Sequence, residues 1–340
     1  MKTKNLHLHT WGAKLRRREG MFEITTVDGK GRTIQTRTYS AETVRSVQLN
    51  EGVTISADAV HLALRNNVDL IFQDRRGVPI GRVTSPELGS TARVRKGQLL
   101  MASDRRGLEL SRGWIITKIT AQRTLLEGLP VSRREETFRA GLRRSIKRLR
   151  KSERKLGELN IQEMSDEVRQ RLRGLEGTAG RTYFSILGQA PPPAFRFVNR
   201  SRRPATDAFN AALNYGYGML YSTVETRLLR VGLSPYIGFL HRDGYRFKSL
   251  VYDFIEPYRP AVDGCVLQLF VKNTLKEKHF QYGHQSGVLI GATGRKHLAD
   301  AVDEHLYTTT QTHHDRKQTP EQIIQLEAQA LATKCAALVT

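Results

Sequence analysis

The first 85 residues alternate apolar and polar positions or carry runs of β-branched residues, and turn dipeptides such as Asp28-Gly29 separate the runs. Patterns of period two are typical of half-buried strands. One helix interrupts them, because Ser56 can cap a segment, 57–65, whose apolar residues share one side. The pattern predicts strands at 6–10, 22–27, 33–39, 44–49 and 68–72.

From about Thr91 onward the apolar spacing becomes helical. One long helix is predicted to present a single face made of Trp114, Ile115, Lys118, Ile119 and Gln122, and further helices are predicted at 161–174, 177–187 and 206–231. A last helix is predicted to run to residue 338, because Thr319 can cap it and Pro320 suits its first position. The preceding segment, 308–318, is polar, and we expect it to be mobile.

These elements predict an α+β fold, with an N-terminal β-rich domain over residues 1–88 followed by a larger, all-α-helical domain over 113–307. Pro86 and Gly89 mark a break between the two patterns at 85–90. We therefore place an interdomain connection at 89–112, and a mobile segment with the C-terminal helix at 308–340.

Charge is the strongest feature of the composition. The 340 residues include 55 Lys and Arg against 33 Asp and Glu, which gives a net charge of +22. Such an excess favours polyanions, since each neutralised phosphate releases a condensed counterion, and nucleic acid is the first expectation. The two cysteines, Cys265 and Cys335, lack metal-ligand spacing and fit a reducing compartment. With no apolar run of about 20 residues and no signal-peptide pattern, we expect a cytoplasmic protein without membrane partners.

Basic residues are densest at 132–155, where eleven stand against three acidic ones. One interpretation is the solvated face of a surface helix. The other is a ridge that follows DNA phosphates through Arg143, Arg144, Lys147 and Arg148, and the charge of the whole chain favours it.

Several common motifs are absent. There is no P-loop, no paired-glycine dinucleotide fingerprint after a strand and no Cys/His zinc pattern, which argues against helicases and ligases. The pairs His7/His9 and His313/His314 are weak metal candidates, because the first falls in a predicted strand and the second in a polar loop without acidic neighbours.

The segment FLHRDGYRFKSLVYDFIEPYRP, residues 239–260, holds the best candidates for chemistry. Asp253 and Glu256 are three residues apart, on one side of a helix that begins near Ser249 and that Pro257 ends or kinks. His241 can reach the same place, and carboxylates with an imidazole suit Mg²⁺ or Mn²⁺. Glu176, which the pattern places at the start of a helix, is the candidate for a third acid. A lone Glu at a helix start is also explained by its favourable interaction with the helix dipole, without any role in metal binding.

Four motifs are similar, in the same order along the chain, to those of a known family, and the third and fourth lie in one segment. LEGTAGRTYF resembles its first acidic motif, RSRRPATDAFNAALNYGYGMLYSTVE its Arg-Pro-Asp-Asn segment, and LSPYIGFLHRDGYRFKSLVYDFIEPYRPAVD its Gly-Phe-Leu-His and acid-Glu-Pro block. VRKGQLLMAS and ITKITAQRTLL resemble the helices that join its two domains. Over residues 1–305 the chain resembles the catalytic subunit of the CRISPR spacer-acquisition complex.

The resemblance implies roles for particular residues. Glu176, His241 and Glu256 take the positions of the three ligands of Mg²⁺ or Mn²⁺, and Asp253 that of a nearby supporting acid. Tyr221 matches a tyrosine close to the active site of that family, and Arg259 matches a basic residue near the scissile phosphate.

The resemblance also implies an activity and partners. We expect the helical domain to be catalytic, in a metal-dependent DNA endonuclease and integrase that inserts foreign DNA as new spacers into a CRISPR array. The expected partners are double-stranded DNA, a second copy in a homodimer, and a small ferredoxin-like subunit that bridges two dimers. Two alternatives remain open: a mobile-element transposase with the same active-site residues, and a basic DNA-binding protein without catalysis.

Overall fold

The computed structural model describes residues 4–339 with the exception of 75, 76, 78, 84–90, 131–134, 243, 246 and 284–286. The chain divides into two units, each assembled from three chain segments. The first unit contains Met1–Glu87, Arg203–Ser222 and Leu275–Pro320, and the second contains Leu88–Arg202, Thr223–Thr274 and Glu321–Thr340. The predicted break at 85–90 lies outside the described residues, and the predicted functional domains stay a prediction.

Eight strands of the N-terminal segment form two four-stranded sheets: β1 (Lys4–Leu8), β2 (Lys14–Arg18), β3 (Met21–Val27), β4 (Thr33–Ser40), β5 (Val44–Asn50), β6 (Thr54–Ile55), β7 (Asp69–Gln73) and β8 (Pro79–Val83). The first sheet has the order β1-β5-β7-β8, in which the first three strands are parallel. The second has the order β4-β3-β2-β6, with β3 antiparallel to both of its neighbours.

The five strands and the helix predicted for this region are confirmed. Helix α1 (Ala57–Arg65) starts at Ser56, whose Oγ accepts a hydrogen bond from the Ala59 amide at 3.2 Å. The sequence did not reveal β2, because its residues read KLRRR and Leu15 is its single buried side chain. Strands with few apolar residues lack the alternation on which the prediction depends.

Helices make up most of the second unit: α2 (Thr91–Ala102), α3 (Arg105–Glu127), α4 (Glu136–Gly157), α5 (Asp166–Leu187), α7 (Ser249–Phe254), α8 (Arg259–Val271) and α10 (Pro320–Ala336). Helix α6 (Ala208–Arg230) supplies residues to both units. A single 3₁₀ turn, Glu256–Tyr258, joins α7 to α8. No helix of the described residues is both long and apolar enough to cross a membrane. The predicted class, a strand-rich region followed by a mostly helical one, is confirmed.

The C-terminal part of the first unit departs from an all-helical pattern. Helix α9 (Ala292–Tyr307) lies between two hairpins, β9 (Phe280–Gly283) with β10 (Gly287–Ile290) and β11 (Gln311–His313) with β12 (Arg316–Gln318). Part of the polar segment 308–318 therefore forms a regular hairpin, and its expected mobility stays a prediction. His314 and Asp315 both adopt positive φ, which is the backbone of the two-residue turn that favours a hairpin.

Helix α5 corrects a second expectation. The sequence predicted two helices separated near Gly174 and Gly177, but one helix continues from Asp166 to Leu187. A glycine inside a helix costs only about 1 kcal/mol relative to alanine. Burial of Leu172, Ala179 and Tyr183 along one side of α5 offsets that cost.

Close packing of α2 on α10 generates a prediction about stability. A Cβ atom at Gly97 would lie 1.8 Å from the carbonyl oxygen of Cys335, so α10 has to move if Gly97 becomes alanine. We expect Gly97→Ala to lower the free energy of unfolding by about 1–3 kcal/mol, as overpacking does. Gly113→Ala on α3, where a Cβ meets nothing within 4 Å, is the control and should raise it slightly. Equal urea midpoints for the two variants would contradict this packing.

Candidate active site

The second unit brings together six polar side chains from separate chain segments. They are Lys118 of α3, Glu176 of α5, His241 of the loop before α7, Asp253 of α7, Glu256 of the 3₁₀ turn and Arg259 at the start of α8. Glu176 does not open a helix, as the sequence suggested, but lies in the middle of α5. The helix dipole acts within the first turn and therefore does not explain an acid at this position.

Asp253 fixes the histidine. Its carboxylate is fully buried and accepts hydrogen bonds from the backbone amides of Phe239, Leu240 and His241 at 2.6, 2.9 and 3.2 Å. It also lies 2.6 Å from His241 Nδ1. Because a carboxylate oxygen accepts, Nδ1 is the donor, and in the neutral ring the lone pair is then on Nε2. A ring held in this way by a carboxylate is the usual arrangement of a metal-binding histidine.

Lys118 connects the two glutamates. Its ammonium lies 2.7 Å from Glu176 Oε1 and also forms an ion pair with Glu256 Oε2. Burial alone lowers the pKa of Lys118, but the neighbouring Glu256 and Glu176 carboxylates outweigh it and raise that pKa above the ordinary value. Lys118 is therefore a buried cation between two carboxylates.

Glu256 has a second cationic neighbour. Arg259 Nη1 lies 3.2 Å from Glu256 Oε1, one turn further along the chain. Burial by itself raises the pKa of the Glu256 carboxyl, whereas Arg259 and Lys118 lower it, and the outcome is a pKa below the ordinary value. The carboxylate is thus held in its charged form although it is only 4% exposed.

Aromatic packing holds the segments in place. Trp114, one turn before Lys118 on α3, stacks on Phe239 with ring centroids 5.9 Å apart and meets the edge of Phe254 at 5.4 Å. Phe239 precedes His241 by two residues, and Phe254 follows Asp253. The tryptophan therefore joins α3 both to the histidine loop and to α7.

Hydrogen bonds of two buried side chains, Gln98 and Tyr183, add to this frame. The side chain of Gln98 on α2 donates to the carbonyls of Ser234 and Ile237 and accepts from the Ser234 amide, all at 2.8–2.9 Å. The Tyr183 hydroxyl donates to Asp263 at 2.8 Å and so ties α5 to α8. Since backbone groups and buried hydroxyls require partners, these contacts fix the loop and the two helices.

The donor set fits a divalent cation of the Mg²⁺ or Mn²⁺ type, since it combines two carboxylates with an imidazole nitrogen. The three ligand atoms of Glu176, His241 and Glu256 nevertheless do not all lie within 4.8 Å of one another in the described chain. Lys118 lies between the two carboxylates instead.

The other sequence candidates outside α4 belong to the first unit. Tyr221 is half-buried on α6, in the part that belongs to the first unit, and its proximity to the site stays a prediction. His9 lies 3.1 Å from the Asn50 side chain, and His7 forms an ion pair with Asp303, so both rings contact protein groups. His313 ends β11, and His314 lies in the turn of its hairpin.

Helix α4 presents three distinct sides, which its period of 3.6 residues separates. The buried side consists of Phe138, Leu142, Ser145, Leu149, Ser152 and Leu156. A second side carries arginines that are paired with glutamates, in Arg143–Glu136 at 2.6 Å, Arg150–Glu127 at 2.9 Å and Arg154–Glu158 at 3.7 Å.

The third side of α4 is exposed and cationic. It carries Arg144, Lys147, Arg148, Lys151 and Lys155, for which the described residues provide no ion pair. These five cations lie within about 100° of one another around the helix axis and form one stripe, which we call the free stripe. Of the four residues singled out from the sequence, Arg144, Lys147 and Arg148 belong to the free stripe, whereas Arg143 is bound to Glu136.

Comparison with known proteins places this arrangement in a family. A family model described as CRISPR associated protein Cas1 matches residues 6–304. The CRISPR-associated endonuclease Cas1 1 of Archaeoglobus fulgidus is 34% identical over 262 residues, which cover 74% of this chain and 75% of that protein. The protein of the same name from Thermus thermophilus is 32% identical over 302 residues, or 88% of this chain and 86% of that one.

Solved structures share the fold at lower identity. A casposase bound to an integration product superposes with a TM-score of 0.82 and 21% identity, over 99% of this chain and 91% of that chain. A CAS1 protein from Thermotoga maritima gives a TM-score of 0.75 and 20% identity, over 98% and 97%. The resemblance drawn from the sequence motifs is confirmed. With the family model matching most of its length and two relatives above 30% identity, this chain belongs to the Cas1 family of CRISPR-associated proteins.

Proposed function

We propose that this chain is a metal-dependent DNA endonuclease and integrase that inserts foreign DNA fragments as new spacers into a CRISPR array. In the integration step, the 3′-hydroxyl of the incoming DNA attacks the phosphorus of a repeat phosphodiester, a new P–O bond forms, and the original P–O bond breaks and releases the 3′-hydroxyl of the cut strand. In the nuclease step, water attacks the phosphorus and the same bond breaks. The observation that carries the proposal is the juxtaposition of two carboxylates with a histidine whose Nδ1 is bound to Asp253. A basic protein that only binds DNA has no need of such a cluster.

Glu176, His241 and Glu256 would hold the cation, either Mg²⁺ or Mn²⁺. When bound, a divalent cation neutralises charge on the phosphate and lowers the pKa of the attacking oxygen. Mn²⁺ is the better match, because one ligand is an imidazole, whereas Mg²⁺ prefers oxygen ligands and retains its waters.

The chain's own residues contribute orientation and charge. Asp253 keeps Nε2 of His241 available as an acceptor, since it engages both Nδ1 and the loop amides. Arg259, anchored on Glu256, supplies a guanidinium whose planar donors suit phosphate oxygens. Positioning two DNA molecules over one site accounts for the remaining catalytic effect.

The proposed partners follow from the reaction and from the family. DNA is the substrate, and one solved structure that shares the fold is a Cas6-RT-Cas1–Cas2 complex, an assembly with a Cas2 component. We propose that this chain forms a homodimer and that a small ferredoxin-like subunit of the Cas2 kind bridges two dimers. Insertion at two ends requires at least two active sites, which a bridged assembly supplies.

Substitution of the ligands tests the metal site. Glu176→Gln, His241→Ala and Glu256→Gln should each reduce strand transfer by at least about 10³-fold, because each removes a ligand from the cation while duplex binding persists. Glu167→Gln, an exposed acid in the first turn of α5, is the matched control and should remain active. The assay uses metal-stripped protein restored with Mn²⁺ on a repeat-array substrate. Strand transfer that persists in EDTA would contradict the proposal, and so would robust activity of any ligand variant.

The free stripe of α4 generates a second prediction. If it follows phosphates, the triple variant Arg144→Ala/Arg148→Ala/Lys151→Ala should reduce the slope of log K against log salt by about 0.7–0.9 per lost contact. The control replaces the glutamate-paired side, Arg143→Ala/Arg150→Ala/Arg154→Ala, with the same change in charge. We expect a much smaller change of slope in the control, since these arginines are already engaged. Identical slopes for the two triple variants would rule out this assignment of the DNA-facing side.

The proposed homodimer is directly measurable. Light scattering of the DNA-free protein should report twice the mass of the chain, 38.5 kDa. A monomer at micromolar concentration that DNA does not shift would argue against dimerisation.

The transposase alternative shares the chemistry and differs in the DNA it uses. The fold is similar to that of a casposase, but that likeness at 21% identity concerns the fold alone. Parallel assays with a leader–repeat substrate and with terminal inverted repeats separate the two functions. Strand transfer confined to the inverted repeats would replace our proposal with the transposase.

A further inference from the structure

Lys118 has an unusual position for a lysine. It lies on the buried side of α3, where Ile115, Ile119 and Gln122 are its neighbours, and it is only 8% exposed. Lysine is almost never buried unless it is paired, because transfer of an ammonium out of water is costly. An apolar residue at this position would extend the core of the unit, so the lysine requires an explanation at the site itself.

The contacts of Lys118 supply that explanation. Both of its carboxylate partners, Glu176 and Glu256, are two of the three proposed ligands. Two carboxylates on neighbouring elements repel each other in a buried setting, and one ammonium between them offsets that repulsion. The ammonium therefore serves the electrostatic purpose that a bound cation would also serve.

The distances around Lys118 differ from those of a metal site. Ligands of Mg²⁺ lie about 2.0–2.1 Å from the ion, so they have to converge on one point. Among the described residues, the ligand atoms of Glu176, His241 and Glu256 do not all lie within 4.8 Å of one another. The 2.7 Å between Lys118 Nζ and Glu176 Oε1 is longer than a metal–oxygen bond.

We propose that the Lys118 ammonium is a built-in counter-ion that holds Glu176 and Glu256 in place in the metal-free protein and leaves that position when a divalent cation binds. The inference rests on the proposed function, since it assumes that these residues bind a metal. A lysine suits this exchange because its point charge sits on a flexible four-carbon stem and can swing aside without a backbone movement.

A counter-ion and a purely structural ion pair predict different effects of Mn²⁺. If Lys118 only stabilises the fold, its loss lowers the unfolding midpoint equally with and without Mn²⁺. If it competes with the metal, its loss lowers the midpoint of the metal-free protein but removes the competitor. The rise in midpoint on adding Mn²⁺ then becomes larger than in the wild type, since a ligand that binds only the folded state stabilises it according to its affinity.

The test compares the wild type with Lys118→Met, whose side chain is of similar length without charge, and with Lys147→Met as an exposed control. Thermal unfolding in EDTA and over a Mn²⁺ titration gives the midpoints, and calorimetry gives the Mn²⁺ Kd. We expect a lower midpoint in EDTA, a larger Mn²⁺-induced rise and a Kd tighter by about tenfold for Lys118→Met. An equal or smaller rise than in the wild type overturns the counter-ion role.

A second variant keeps the test decisive if Lys118→Met does not fold without metal. Lys118→Arg retains the cation, but its guanidinium can bind carboxylates in a bidentate way and is harder to displace. Its Mn²⁺ Kd should be weaker by about tenfold, with a normal midpoint in EDTA; an unchanged Kd overturns the inference. If Mn²⁺ shifts the midpoint of neither the wild type nor Lys118→Met, the metal site is wrong and the proposed function fails with it.

Discussion

The second unit depends on one constraint: charges that leave water have to be compensated. Glu256 and Asp253 are buried in its interior, and each is surrounded by donors rather than left alone. Breaking a buried ion pair by removing one partner costs about 3–5 kcal/mol, because the remaining charge stays desolvated. Lys118, Arg259 and the loop amides before His241 are therefore as necessary to the arrangement as the acids themselves.

The same constraint explains why the elements meet as they do. Asp253 can satisfy its oxygens only if the backbone of 239–241 comes against α7, which fixes His241. Trp114 packs on Phe239 and Phe254, the residues beside this junction, and the Asp253 carboxylate is fully buried. Hydrogen bonds to a buried carboxylate are electrostatically stronger than hydrogen bonds in water. Packing and polar contacts thus support one geometry of the histidine loop.

Sequence patterns predicted the elements well where periodicity was strong and poorly where it was weak. Helices α1 and α10 start at the capping signals read from the sequence, whereas β2 was missed because its residues are mostly arginine. Local glycines suggested a break in α5 that tertiary packing overrides. Glu176, His241 and Glu256 come from segments far apart in sequence, so spacing alone could suggest them as candidates but could not show that they meet.

For Lys118, the sequence predicted the position on α3 but not the contacts of the side chain. Its place on the apolar side of α3 was visible, yet nothing local shows that two glutamates from other elements face it. The basic residues of α4 look alike in the sequence, but the structure shows that only some of them form ion pairs with glutamates. Arg143 and Arg144 are adjacent, but one is engaged by Glu136 and the other has no ion pair among the described residues. In both helices, only the folded structure shows which cations are paired with an acid and which are not.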